Sequence, residues 1–170
     1  MKKLLFISTL LLLGFTSCYQ KTDEGVMING VVWATRNVGS SGRFVSQAQD
    51  YGRRFTWEQA QNACPQGWRL PTQIELQSLI LADNGWTTRT RNDNSGCPEF
   101  PSFTTVTVGG RLFSSGGNSL FLPAPNRQGR YWSSISSNPP NAVLLQFDHD
   151  GSSIDIARTT ASFNVRCVAE

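Results

Sequence analysis

Two short helices joined by a proline-bounded connector are the strongest constraint that this sequence places on a fold. Thr56-Trp-Glu-Gln59 and Thr72-Gln-Ile-Glu75 each match a capping box, in which a threonine begins the helix and a glutamine or glutamate follows three positions later. The connector at 65–71 contains two prolines and a glycine, which are residues that end helices. The sequence therefore predicts a helix–turn–helix corner, with Trp68 and Leu70 packed into the core.

The first 18 residues predict export from the cytoplasm. Two lysines precede an apolar stretch from 4 to 15, which is shorter than the roughly 20 residues of a membrane-spanning helix. Thr16 and Ser17 are small residues that precede Cys18, as at a cleavage site. This pattern fits an ordinary signal peptide. It also resembles a bacterial lipoprotein signal, in which Cys18 becomes the lipidated first residue of the mature chain.

We take the lipoprotein signal as the prediction, because the chain turns polar immediately after Cys18. It divides the chain into a signal peptide at 1–17, a tether at 18–27 and a single domain at 28–170. A lipid on Cys18 attaches such a domain to a membrane, so the predicted location is the cell envelope, at the outer membrane. About 150 residues are enough for one domain with its own core.

The charge balance argues against a nucleic-acid partner. The chain has 15 Lys and Arg against 12 Asp and Glu, and two of the lysines belong to the signal peptide. Positive and negative charges therefore nearly balance in the domain, whereas a nucleic-acid binder has a basic face. The sequence gives no indication of the oligomeric state.

Apart from the two helices, the sequence indicates short strands. Runs rich in β-branched and aromatic residues predict strands, and Asp148-His-Asp-Gly151 supplies the turn of a hairpin. Residues 37–52 are polar and glycine-rich, which predicts a loop. The predicted strands are Gly30–Arg36, Tyr131–Ile135, Ala142–Phe147, Ser153–Ile156 and Phe163–Val168.

The stretch from 86 to 130 has no clear periodicity, and Gly, Ser, Asn and Pro dominate it. A long irregular segment inside a compact domain is typical of a binding region. Its arginines can bind carboxylates or hydroxyls through their planar forks, and exposed aromatic faces stack on sugars or peptides. The alternative is that the aromatic side chains form small cores beneath loops. The candidate ligand-binding residues are Trp86, Arg89, Arg91, Arg111, Asn126, Arg127 and Arg130.

The sequence shows no convincing catalytic or metal-binding pattern. His149 is the only histidine, and no serine motif suggests a nucleophile for it to activate. The segment that begins at Asp148 superficially resembles a calcium loop, but Thr159 stands where the final acidic ligand is required. We therefore predict no catalytic residue, no metal and no cofactor.

Four motifs, in this order along the chain, resemble a known family. They are WATRNVG at 33–39, FTWEQAQNACPQGWRLPT at 55–72, LPAPNRQGRYWSS at 122–134 and SFNVRCV at 162–168. Together they are similar to the FISUMP domain, the Fibrobacter succinogenes major paralogous domain, which is common in exported lipoproteins of Bacteroidetes and Fibrobacter relatives. The resemblance spans about residues 26–168, and it implies more about architecture than about activity.

The resemblance implies an α+β, C-type lectin-like fold, with two short helices packed on a small, mostly antiparallel sheet and a long loop region. Cys64, Cys97 and Cys167 remain after Cys18, and they allow three disulfide pairings in an oxidising compartment. In the fold that the resemblance implies, a cysteine on the first helix bonds to one on the last strand. This selects the pair Cys64–Cys167.

These observations favour a non-enzymatic, lipid-anchored envelope domain whose loop surface serves adhesion or binds a ligand, with a glycan or a protein as the candidate partner. One alternative is an enzyme distantly related to the formylglycine-generating fold, in which Cys97 would be reactive. The other is a structural subunit of a surface assembly. Calcium-dependent sugar binding is not supported, since Ala124-Pro-Asn126 lacks the acidic or amide first residue that such lectins use.

Overall fold

The fold consists mainly of short antiparallel strands in a computed structural model that describes residues 23–92 and 105–170. With strands numbered in chain order, the first sheet has the order β1 (Val26–Ile28), β2 (Val31–Trp33), β12 (Val168–Ala169), β5 (Trp68–Arg69). The second has the order β6 (Asp83–Asn92), β7 (Thr105–Ser115), β8 (Asn118–Pro123). The third has the order β11 (Ser152–Arg158), β10 (Asn141–Phe147), β9 (Gly129–Ser137). The remaining elements are the ribbon β3 (Val38–Ser40) and β4 (Arg43–Phe44), the helices α1 (Trp57–Ala60) and α2 (Gln73–Ile80), and the 3-10 turn η1 (Pro125–Arg127).

The predicted α+β, C-type lectin-like fold is wrong. The described chain is mostly β, and it forms four small antiparallel sheets rather than one sheet with two helices packed on it. Helix α1 has only 4 residues and α2 has 8, so neither is long enough to build a helical layer. The predicted loop at 37–52 also contains two strands, β3 and β4.

The largest error concerns the stretch at 86–130, whose described part contains the sheet β6–β7–β8 instead of an irregular loop. Both faces of β6 are partly covered, so its sequence lacks the alternation of apolar and polar residues that marks a half-buried strand. The threonines at 87, 88 and 90 were the available signal, because β-branched residues favour strands. Gly110 allows β7 and β8 to pair closely, since a Cβ there would collide with the carbonyl oxygen of Leu122.

Both predicted capping boxes are confirmed. The Thr56 hydroxyl accepts a hydrogen bond from the Gln59 amide at 3.4 Å, and the Gln59 side chain accepts one from the Thr56 amide at 3.2 Å. Thr72 and Glu75 repeat this exchange at the start of α2, with distances of 3.3 and 2.7 Å. The caps satisfy amide groups that have no partner within a helix, which explains how such short helices persist.

The predicted hairpin is also confirmed, and its sheet lies between two hydrophobic clusters. Oδ1 of Asp148 accepts hydrogen bonds from the amides of residues 150 and 151, which fixes the turn between β10 and β11. Leu145 faces the first cluster, with α2 and the second sheet, while Leu144 faces the second cluster, with α1 and the disulfide. Each large side chain buried in this way contributes about 1.5–3 kcal/mol. Leu70 is buried as predicted, whereas Trp68 is half-buried at the margin of the second cluster.

The end of the chain runs through the centre of the molecule. The prediction of one alternating strand at Phe163–Val168 is wrong, because residues 163–168 are all buried and only the last of them joins a sheet. The segment instead bridges in turn to Phe55, to Tyr131 and to the first sheet, so it has no solvent-facing side. The predicted disulfide Cys64–Cys167 is confirmed, and it joins positions 103 residues apart.

A buried arginine links this central segment to two other parts of the chain. Arg166 is 1% exposed and donates to Asn37 Oδ1 at 2.8 Å, to the Ala34 carbonyl at 2.9 Å and to the Phe121 carbonyl at 3.2 Å. Burial lowers the pKa of its guanidinium to about 10. Asn37 in turn donates to the Tyr131 hydroxyl at 3.1 Å, and sequence reasoning gave no hint of this network.

The side chain of Asp23, the first described residue, is hydrogen-bonded to the domain. Asp23, within the predicted tether, has a fully buried side chain that accepts hydrogen bonds from the amides of Gly25, Thr35 and Arg36 and from the Arg36 guanidinium. Burial raises the pKa of Asp23, but the hydrogen bonds from Thr35 and Gly25 outweigh it, so the pKa lies below its ordinary value. Residues 23–27 of the predicted tether therefore belong to this fold.

Candidate ligand-binding groove

The fold separates the predicted arginines into two groups, and those of the second sheet point into the protein. Arg111 is 7% exposed, and it donates to Oδ1 of Asn84 and to the carbonyl of Asp148. Arg91 forms an ion pair with Asp50 at 3.0 Å. Cζ of Arg89 lies 5.1 Å from the centre of the buried Phe121 ring. Arg91 and Arg111 are thus committed to polar contacts within the domain, whereas Arg89 makes a ring contact alone among the described residues.

Trp86 is half-buried, and it lines a shallow open depression of about 350 Å³. It lies opposite Arg111 on the neighbouring strand, and it packs against the first hydrophobic cluster. A Cβ on Gly109 would lie 2.8 Å from the Trp86 ring, so the glycine makes room for the indole. His149 is exposed, with its ring centre 6.0 Å from that of Trp86.

The second group of candidates, Asn126, Arg127 and Arg130, lies on η1 and at the start of β9. Here the fold forms an open groove of about 190 Å³, which we name the η1 groove. The central segment and the approach to α1 supply its opposite wall. Its lining residues are Arg54, Pro125, Asn126, Gln128, Arg130, Phe163 and Asn164.

Two arginines flank the same ring in this groove. Cζ of Arg54 lies 5.8 Å, and that of Arg130 5.4 Å, from the centre of the Phe163 ring. Nε of Arg54 donates to the Ser162 carbonyl at 2.7 Å, and Nε of Arg130 donates to Oε1 of Gln146 at 3.0 Å. Each guanidinium is therefore oriented through its inner nitrogen and by cation–π contact.

The outer nitrogens of both guanidinium groups have no hydrogen-bond partner within residues 23–92 and 105–170. Neither Arg54 nor Arg130 has a carboxylate within ion-pair distance in that part of the chain. The groove thus contains two positive charges that no described carboxylate matches. This is unlike Arg36, Arg69 and Arg91, each of which has an acidic partner.

Amide side chains complete the polar lining. Nδ2 of Asn164 donates to the Tyr51 carbonyl at 2.6 Å, and the Asn164 backbone amide donates to the Arg130 carbonyl at 3.1 Å. The side chains of Asn126 and Gln128 form no hydrogen bond with other described residues. An amide both donates and accepts, so these two groups can meet either kind of partner on a ligand.

The backbone beside the groove adopts a costly conformation. Asn126 has φ 54° and Arg127 has φ 65°, so two consecutive residues other than glycine are left-handed. Asparagine tolerates this region better than arginine, for which it is unfavourable by roughly 1–2 kcal/mol. The hydroxyl of Tyr131 holds the approach to η1 by donating to the Pro123 carbonyl at 2.6 Å. Such strain persists where surrounding structure enforces it, and it is concentrated at functional sites.

The comparisons give this chain no established relative. No protein-family model matches it, and neither a curated protein nor a solved structure is significantly similar to it. The resemblance to the FISUMP domain stays a prediction. The evidence on function is therefore the site itself.

Among the described residues, no group of three His, Cys, Asp or Glu side chains could hold a metal ion. Helices long and apolar enough to cross a membrane are likewise not found at 23–92 or 105–170. Cys18, the predicted lipidation site, and Cys97, on which the enzyme alternative depends, lie outside the described residues.

Sequence reasoning found one wall of the groove and missed the other. Asn126, Arg127 and Arg130 were candidates, but Arg54, Phe163 and Asn164 were not. Arg54 precedes η1 by about 70 residues, and Asn164 follows it by nearly 40. No local pattern links these positions. The bridge between Tyr131 and Asn164 brings the two walls together, and the bridge between Phe55 and Phe163 adds Arg54.

Proposed function

We propose that this protein is a non-enzymatic, lipid-anchored domain of the cell envelope that binds a ligand through the η1 groove and thereby mediates adhesion. The observation that carries the proposal is the pair of guanidinium groups of Arg54 and Arg130. Each is oriented by a hydrogen bond from Nε and by the Phe163 ring, and neither has an acidic partner among the described residues. The FISUMP resemblance and the lipoprotein signal support an envelope location, with the outer membrane as the predicted site.

Electrostatics supports a binding role for this pair. Two positive charges in one groove repel each other, and no carboxylate at 23–92 or 105–170 lies within ion-pair distance of them to offset that cost. A ligand that accepts hydrogen bonds can use the outer nitrogens of both groups, and arginine is enriched at binding sites for this reason. Arg91 and Arg111 lack this feature, since their guanidinium groups already contact oxygen atoms of the domain, and Arg89 does not line the groove.

The test of the proposal is attachment of the full-length protein to a glycan array and to its natural surface. Arg127→Ala with Arg130→Ala should weaken attachment and leave the melting temperature within a few degrees of the wild-type value, since partly exposed arginines contribute little to stability. Arg89→Ala with Arg91→Ala is the comparison variant, and it should weaken folding rather than attachment. Unchanged attachment in the Arg127/Arg130 variant, together with an intact fold, would falsify the proposed site.

Lipid attachment has a separate test. If Cys18 is the lipidated residue, metabolic labelling with a fatty-acid probe should mark the wild-type protein and not Cys18→Ser. Labelling that survives this substitution would show that the anchor is elsewhere. Cys64 and Cys167 offer no competing thiol, because they are bonded to each other.

A further inference from the structure

We propose that the η1 groove recognises an acidic sugar, with the anionic group of that sugar at Arg54 and Arg130 and its hydroxyls at the amides of Asn126 and Gln128. This inference rests on the proposed function, and it adds the chemical class of the ligand. Arg54 belongs to the anionic subsite because the folded chain brings it to the same Phe163 ring as Arg130. The anionic group is a carboxylate or a sulfate, which share the oxygen acceptors that a guanidinium fork binds.

The charge of the groove selects for an anion. Both guanidinium groups keep their outer nitrogens free of partners among the described residues, and both are held by a hydrogen bond through Nε. This arrangement lets an oxyanion bind without first breaking an ion pair. Arg127, which is exposed on η1 beside the groove, adds a third positive charge to the approach. A neutral ligand would use only part of this field.

The size of the groove sets the size of the bound group. A volume of about 190 Å³ lies below the roughly 300–1,000 Å³ of sites that enclose whole small molecules. The groove therefore holds one ring or one terminal group of a longer ligand. Its open side leaves room for the rest of such a chain to continue into solvent.

The lining favours a sugar over a peptide. Peptide sites use an exposed strand edge, apolar pockets for side chains or, for acidic motifs, a cluster of arginines. Phe163 is only 5% exposed, and Pro125 is the one other apolar lining residue among the described groove residues, so no apolar pocket is available here. The amides of Asn126 and Gln128, which have no partner among the described residues, can donate to and accept from sugar hydroxyls.

The experiment is a titration of the full-length protein by isothermal calorimetry with D-glucuronate, D-galacturonate and glucose 6-sulfate, each compared with its neutral parent sugar. An acidic sugar should bind at least about tenfold more tightly than its parent, and added salt should weaken it. Arg54→Gln and Arg130→Gln should each reduce the affinity by about tenfold or more, as expected for the loss of a charge-assisted contact.

Arg53→Gln is the matched control for Arg54→Gln. Arg53 is the adjacent residue, is similarly exposed and stacks on Phe55 at 5.7 Å, but it does not line the groove. It should bind acidic sugars as the wild type does. Asn126→Ala and Gln128→Ala should reduce the preference for the sugar over inorganic sulfate or acetate, since these anions have no ring hydroxyls. The melting temperature of every variant separates loss of binding from loss of folding.

Several results would overturn the inference. If neutral sugars bind as tightly as acidic ones, the groove has no anionic subsite. If sulfate or acetate binds as tightly as an acidic sugar, the sugar ring contributes nothing to recognition. An acidic peptide that binds more tightly than any sugar would replace the ligand class. If no acidic sugar binds, but attachment of the whole protein still depends on Arg127 and Arg130, then this inference fails while the proposed function stands. If attachment is also unaffected, both fail.

Discussion

The arginines of the second sheet and those of the η1 groove look alike in sequence and have opposite roles in the fold. The guanidinium of Arg89 stacks on the Phe121 ring, and that of Arg91 pairs with the Asp50 carboxylate. The guanidinium of Arg111 donates to the Asn84 side chain and to the Asp148 carbonyl. Arg54 and Arg130 are also held, by a hydrogen bond from Nε and by the Phe163 ring, but their outer nitrogens have no hydrogen-bond partner among the described residues. The difference lies in what surrounds each side chain, which the sequence does not reveal.

This comparison shows why a concentration of arginine is weak evidence for a binding surface. An arginine can cover apolar area, satisfy carbonyl groups or pair with a carboxylate, and each of these uses removes it from ligand binding. The useful criterion is a guanidinium that is positioned and not neutralised. Within the described residues, Arg54 and Arg130 meet this criterion in a shared groove, and Arg111 does not.

The largest expected effect comes from Arg166, the most deeply buried arginine described. Arg166→Met should reduce the free energy of unfolding by roughly 3–5 kcal/mol, because three acceptors lose their donor at about 1–3 kcal/mol each while relief from burying a charge offsets part of the loss. Urea unfolding at pH 7 measures this. Arg158→Met, at an exposed position on β11, is the control and should change stability by less than about 0.5 kcal/mol.

A loss below about 1 kcal/mol in Arg166→Met would mean that the buried network is not a major source of stability. Arg166 would then not be an example of an internal arginine that stabilises the fold. Ligand binding should be little changed in this variant at temperatures where it is folded, since Arg166 does not line the groove.

The next effect in size separates the two regions directly. Arg111→Met should cost about 2–3 kcal/mol, because the buried side chain leaves Asn84 and the Asp148 carbonyl without a charged donor. Arg130→Met should cost less than about 1 kcal/mol, since a partly exposed arginine with one hydrogen bond and a cation–π contact contributes little. Thermal and urea unfolding of both variants provide the measurement. Equal losses would erase the distinction between the two groups.

Low pH tests the difference between paired and unpaired arginines in a third way. Hydrogen bonds from Arg69 lower the pKa of Glu75 to about 2, against burial, and Asp23 also has a lowered pKa. Because both folded-state values lie below the ordinary values of 4.5 and 3.8, their stabilisation is present above about pH 4.5 and is lost as the pH falls toward 2. The Glu75 part should be about 1 kcal/mol after solvent screening.

The measurement is the free energy of unfolding from pH 7 to pH 2. Glu75→Gln should flatten part of the acid slope, and a glutamine can still complete the capping box. Arg130→Gln should run parallel to the wild-type curve, because no described carboxylate pairs with Arg130. A steeper or flatter curve for Arg130→Gln would indicate an acidic partner and weaken the case for an anion site.

The parts of this molecule that the sequence predicted are those in which neighbours along the chain determine the structure. Thr56 and Gln59, or Asp148 and Gly151, interact within a few residues, so a short motif carries the information. The strand β6 was not predicted, because its pairing with β7 and the partial burial of both its faces depend on distant segments. The burial of Arg166 was not predicted either, since arginine is normally expected at the surface.

The groove lies between these two cases. The left-handed turn at Asn126 and Arg127 follows a proline, and a proline before asparagine is a local turn signal. The opposite wall, with Arg54 and Asn164, depends on the central segment being threaded between the sheets. Half of the candidate site was therefore accessible to sequence reasoning, and the half that supplies the second charge was not.

The smallest expected effect concerns the strained residue of the groove. Arg127→Gly should leave stability unchanged or raise it by about 0.5 kcal/mol, because glycine adopts φ near 65° without the cost that arginine bears, while its greater freedom in the unfolded chain offsets part of the gain. If the proposed function is correct, the same substitution should weaken attachment to the ligand surface, since it removes the exposed charge on η1.

The control is Arg53→Ala, which removes an exposed arginine outside the groove. Arg43→Gly would not serve, because Arg43 lies in the strand β4. Differential scanning calorimetry and the attachment assay together decide the outcome. A variant that is destabilised by more than about 1 kcal/mol would place Arg127 among the arginines that hold the fold, and the division between the two regions would have to be redrawn at η1.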